Sequence, residues 1–184
     1  MTLTVKSIKT NIIGKPVNGK NDEIAKQIET MISDEGWDVQ NGPGPDILSA
    51  GIEIKSRHIN ATSNQTVGSM TTASIINTPY RQSPIYKKIQ KQIRVYHNGN
   101  TVLKASLYDF SDDYVQSKIE EAYETARQKI ASGWEKDWVP GTSWGSFEKV
   151  KDRNSHAFRL PPYAYRKLEG MSRDNFNKIF EQMC

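Results

Sequence analysis

GPGPDILSAGIEIKSRH, residues Gly42 to His58, reads as two short strands, DILSA and GIEIKSRHI, joined by a tight turn at Ala50-Gly51. Period-two alternation sets Glu53 and Lys55 on one face of the second strand, with Ile52, Ile54 and Ser56 on the other. Charges on such apolar strands are costly unless they pair with each other or with a metal. The turn brings Asp46, near the start of the first strand, close to Glu53 and Lys55. Two close carboxylates repel, so one takes a proton unless a divalent cation lies between them. An all-oxygen site of this kind suits magnesium, which favours a few carboxylates, waters and substrate phosphate. There it polarises a phosphodiester and acidifies a bound water, while a lysine orients that water or stabilises developing charge. The competing reading is an edge hairpin whose Glu53 and Lys55 face solvent as a charge pair.

The elements around this stretch point to an α/β class. Upstream, Asn21 or Asp22 caps a helix through about Glu35, with Ile24, Ile28, Met31 and Ile32 on one face and Gly36 as the stop. Downstream, SMTTASIIN suits a third strand. SPIYKKIQKQI then predicts a basic amphipathic helix, capped by Ser83, opened by Pro84 and apolar at Ile85, Ile89 and Ile93. IRVYHNGNTVLKASLYDF alternates about Asn98-Gly99, a dipeptide suited to a two-residue hairpin turn. From Ser111, a cap followed by Asp112 and Asp113, a long helix carries Val115, Ile119, Ala122, Tyr123, Ala126 and Ile130 on one stripe. FEKVKD and HAFRLP suggest strands in a region rich in Trp, Gly and Pro, and Arg173 to Met183 suggests a closing helix. This order implies a mixed β-sheet flanked by helices.

With 184 residues, 36% hydrophobic and 25% charged, the chain is expected to form a single domain spanning 1–184 rather than a disordered tract. Neither a signal-peptide core nor a membrane-length apolar run is visible, and the single cysteine, Cys184, excludes an internal disulfide or a cysteine-built zinc site. A reducing cytoplasm is the expected compartment. His58, His97 and His156 have no metal-ligand spacing, and neither a phosphate-binding glycine loop nor a serine nucleophile motif is present.

The net charge of +4 is modest, but its distribution is uneven. Between Ile54 and Tyr108 no acidic residue occurs, while Lys55, Arg57, Arg81, Lys87, Lys88, Lys91, Arg94 and Lys104 are basic. That leaves 17 basic residues against all 21 acidic ones elsewhere. Segregated positive charge suits a surface that meets a polyanion. Lys87, Lys88 and Lys91 are expected on or beside the exposed side of the basic helix, as phosphate contacts. The polar run after Lys55, with Arg57, His58 and Gln65, is rich in groups that bond to phosphates or base edges, and Arg81 extends the basic set.

Pro45-Asp46, six residues, then Glu53-Ile54-Lys55 resembles the PD-(D/E)xK nuclease superfamily, which includes many type II restriction endonucleases. Locally, Asp46 followed by Gly51-Ile52-Glu53-Ile54-Lys55-Ser56 is most similar to the mismatch-repair nicking endonuclease MutH and its restriction-enzyme relatives, over about a dozen residues. The resemblance implies a restriction-endonuclease-like core, with residues 133–184 as a family-specific extension. It implies Asp46, Glu53 and the Ile54 carbonyl as Mg2+ ligands, and Lys55 as the catalytic lysine. A further glutamate from the preceding helix is expected, Glu29 by its place beside the apolar face, with Glu35 the rival. The implied function is a Mg2+-dependent endonuclease acting on double-stranded DNA, restriction-type or strand-nicking. It would act as a homodimer or with a larger DNA-recognition subunit. A repair or branched-DNA nuclease of the same superfamily and a non-catalytic DNA-binding protein are the alternatives.

Overall fold

The computed structural model describes residues 10–171, so the helix expected over Arg173 to Met183 lies outside the described residues. The chain is mixed α/β and divides into two compact units, one running through Thr62 and taking in Lys87–Asp109, the other built from Ser63–Tyr86 and the chain from Phe110. Each unit has its own sheet, where one mixed sheet was expected.

In the first unit, α1 (Asn21–Asp34) buries Ile24, Ile28 and Ile32, which recur every four residues and so share one face. Its cap position is Lys20, which makes no side-chain capping bond, rather than Asn21 or Asp22; Asp22 and Glu23 instead place negative charge in the first turn. Gly36, at φ +97°, ends it. This face packs with Ile52 and Ile54 of β1 (Ile52–His58) and with Ile93 and Val95 of β3 (Lys91–His97). β1 runs parallel to β3, and β3 pairs antiparallel with β4 (Val102–Asp109). The hairpin is as expected, but its connection has four residues, not two. Asn98 Oδ1 accepts from the Asn100 and Thr101 N–H groups at 3.0 and 2.9 Å, and Gly99 takes φ +92°.

Three expected elements are corrected. DILSA is no strand: Ile47 makes single bridges to Val39 and Ile52, Leu48–Ala50 forms a 3-10 turn, and Gly51 at φ +65° reverses the chain before a ladder can grow. SMTTASIIN begins as the end of β2 (Gln65–Thr71) and continues as α2 (Thr72–Asn77). The Thr71 hydroxyl accepts from the Ser74 N–H at 3.2 Å and so starts a helix. In SPIYKKIQKQI, Ser83 Oγ does accept from the Tyr86 N–H, at 3.2 Å, but α3 covers only Pro84–Lys88. From Lys91 the β-branched alternation of Ile93 and Val95 wins over the helical spacing, and Lys91 lies on a strand.

The second unit carries an antiparallel sheet in the order β2, β7 (Ser155–Leu160), β6 (Gly145–Lys149), β5 (Trp138–Thr142). β5 was not anticipated. The long helix α4 (Asp113–Ala131) packs on β5 and β6, and its N-cap is Asp112, whose carboxylate accepts from the Tyr114 and Val115 N–H groups, rather than Ser111. Tyr80, Tyr123, Phe147 and Phe158, all fully buried, form its aromatic core. A Cβ added at Gly141 would collide with the carbonyl oxygens of Ala122 and Gly145. Gly141→Ala is therefore expected to destabilise this unit by about 2 kcal/mol, measured by denaturant unfolding, because backbone flanks it on both sides.

Candidate active site

Glu53, Lys55 and Arg57 follow one another at every second position of β1 and share one sheet face. Across the parallel register stand Gln92, Arg94 and Tyr96 of β3. The opposite face is the apolar one that meets α1. Glu53 is 2% exposed. Its Oε1 lies 3.1 Å from Lys55 Nζ and 3.9 Å from Lys88 Nζ, while Oε2 is buried and has no hydrogen-bond partner. Burial pushes the Glu53 carboxyl above its ordinary value; Lys55 and Lys88 draw it back, and the nearby Asp46 charge raises it further.

Asp46 is positioned by backbone. Its Oδ2 accepts the Ile54 N–H at 2.8 Å, so the carboxylate stands at the open edge of β1, where another strand would otherwise pair. In a strand the N–H and C=O of one residue point to the same side, so the Ile54 carbonyl faces this edge too. Asp46, Glu53, Lys55 and the Ile54 carbonyl are thus brought together as expected, although the turn that does it is a 3-10 turn.

Between the two helix glutamates, Glu29 is the one that faces this group. Burial raises its pKa, the Asp46 charge adds to that, and Lys55 and Lys26 oppose it. A depression of about 380 Å3, lined by Lys26, Glu29, Thr30, Ser33, Val39 and Asn41, opens beside it. Glu35 is engaged elsewhere, accepting from Asn11 Nδ2 at 2.6 Å with Lys15 at 4.0 Å.

The expected DNA-contacting residues scatter. Lys87 is exposed at the end of α3, and Arg57 shares the face of Glu53 and Lys55. His58 lies on the other face of β1; its Nδ1 accepts the Asn60 N–H at 3.1 Å and its ring packs edge-on against His97. Arg81, in the second unit, is 3.1 Å from Glu120, so its charge is already matched. Gln65 begins β2 in that unit. Seven of the eight cations of the acid-free tract, all but Arg81, belong to the unit that carries the carboxylates. Lys88 was expected to be a peripheral phosphate contact and instead lies beside Glu53. Lys88 is the last residue of α3, an end that nothing in the local spacing signals.

Among the described residues, no three His, Cys, Asp or Glu side chains form a metal-binding group. The set expected for Mg2+ has two carboxylates and one carbonyl, and the structure fits it in one specific respect. Glu53 Oε2 is a buried carboxylate oxygen with no hydrogen-bond partner, beside a second carboxylate, and a divalent cation is one ligand that would satisfy such an atom. A groove of about 640 Å3 lies in the second unit around Lys129 and Trp134 and is lined by none of these residues. No protein-family model matches the sequence and no curated protein is significantly similar to it, so these residues must be read from their own chemistry.

Proposed function

We propose that this protein is a Mg2+-dependent DNA endonuclease of the PD-(D/E)xK kind, restriction-type or strand-nicking, with Asp46, Glu53 and Lys55 as its active site. The observation that carries this reading is the Glu53 carboxylate. It is buried at a cost, with one oxygen beside two ammonium groups, the other without a partner, and Asp46 next to it. A purely structural charge pair gains nothing from the unsatisfied oxygen.

Asp46, Glu53 and the Ile54 carbonyl would hold Mg2+, which supplies Lewis-acid polarisation of the phosphodiester and a more acidic water. The chain's own residues do the rest. The Ile54 N–H fixes the Asp46 carboxylate in place. Lys55, its side chain 19% exposed, is accessible enough to orient a water and to meet the charge that develops on the phosphoryl oxygens. Glu29 balances the charge of Lys55 from the helix side. The cations of the first unit supply attraction for the phosphate backbone. By resemblance, the product would carry a 5′-phosphate.

Plasmid incubated with the protein and Mg2+ tests this reading. Discrete fragments mark a restriction-type enzyme, relaxed circles a nicking one, and cutting confined to branched substrates a repair nuclease. Calcium is expected to support DNA binding with little or no cleavage, since it fills an oxygen site with looser geometry and is the weaker Lewis acid. A chelator should stop the reaction. Full cleavage in calcium or in chelator would overturn the metal-dependent mechanism, and DNA binding with no cleavage in Mg2+ would favour a non-catalytic binding protein.

A further inference from the structure

Lys88 is the last residue of α3 and belongs to the same unit as Glu53. Its neighbour in the chain fixes where it starts. Ile89, which follows the lysine in the same unit, is fully buried. From this anchored backbone the side chain, 29% exposed, reaches in from the solvent side to 3.9 Å from Glu53 Oε1. Lys55 lies nearer the same oxygen, at 3.1 Å. Both ammonium groups therefore crowd Oε1, while Oε2 stays buried without a partner.

The formal charges of Asp46, Glu53, Lys55 and Lys88 cancel. Even with Glu29, which faces this group, counted as a full negative charge, a divalent cation entering it leaves excess positive charge unless an ammonium withdraws or an anion arrives. Lys88 is the more exposed of the two lysines and the farther from Oε1, so it gives way first. Taking the endonuclease reading as given, we infer that Lys88 is a stand-in counter-ion for Glu53, which a divalent cation displaces and a DNA phosphate then receives. Lys88 is on this account a positioning residue. It keeps the carboxylate pair assembled without metal, and it couples cation binding to DNA binding, because the displaced ammonium finds its partner only on the nucleic acid.

The test is calcium binding to the full chain without DNA, followed by calorimetry, on wild type, Lys88→Met and Lys88→Arg. Removing the competing charge should tighten calcium about fivefold in Lys88→Met, the scale of one partly exposed ion pair. Lys88→Arg should stay near wild type. Lys88→Gln, with a polar end where the side chain meets water, carries the same test if Lys88→Met does not fold. DNA binding against salt gives a second readout. In chelator the salt slopes of wild type and Lys88→Met should coincide, and in calcium the wild-type slope should be steeper by about one unit. Calcium affinity that is unchanged or weaker in Lys88→Met, or a slope difference of about one in chelator as well, overturns the inference and makes Lys88 an ordinary phosphate contact. If wild type binds no divalent cation, the endonuclease reading fails together with the inference.

Discussion

Lys55→Ala is expected to lower the single-turnover rate of DNA cleavage by at least about a hundredfold, the scale for removing one group that stabilises transition-state charge. The fold should be little changed, because Lys55 stands on the polar face of β1 while Ile52 and Ile54 hold the strand to the core. Asp46 needs a more careful variant. Its Oδ2 accepts the Ile54 N–H, so alanine there removes a ligand and also strands a backbone donor, at about 1–3 kcal/mol. Asp46→Asn keeps a carbonyl acceptor for that N–H and removes only the charge. It should melt close to wild type and still lose cleavage to the same degree as Lys55→Ala. Cleavage at the wild-type rate by either Lys55→Ala or Asp46→Asn would mean that the active site lies elsewhere.

The core of the site was legible because it depends on short-range geometry. Asp46 and Glu53 are seven positions apart around Gly51, and Glu53 and Lys55 are two apart on one strand, so a single chain reversal and the strand period bring all three together. The same locality made α1, the hairpin about Gly99 and α4 readable, since each has its signal within its own span. What was not legible depends on competition between periods. Ile85, Ile89 and Ile93 share helical spacing, but Ile93 also alternates with Val95, and the strand took it. α3 consequently stopped at Lys88 instead of continuing as an exposed helix. The separation into two sheets was hidden for a related reason. β2 and β7 are far apart in sequence yet pair with each other, and no local signal tells a strand which sheet it joins.

Glu53→Gln should make the protein more stable near neutral pH while abolishing cleavage. Burial holds the Glu53 carboxyl above its ordinary value of 4.5, so the fold favours its protonated form. The stability that this group lends is complete below that value and is lost as pH rises through the higher folded-state value, so at neutral pH the charged carboxylate is a net cost. Glutamine has nearly the same shape and can still accept from Lys55, but it leaves no charged oxygen without a donor. Lys55 and Lys88, with side chains 19% and 29% exposed, can recover the lost interaction from water. A gain on the order of 1 kcal/mol follows, or several degrees in melting temperature. Thermal melts of the two proteins should coincide near pH 4 and diverge in favour of Glu53→Gln as pH rises. Added Mg2+ should then raise the melting temperature of wild type and leave the variant where it was, because the buried anionic oxygen that gives the cation its place is gone. A variant less stable than wild type at neutral pH would mean that the lysines outweigh burial, making Glu53 a structural ion pair instead of a carboxylate held at a cost for a cation.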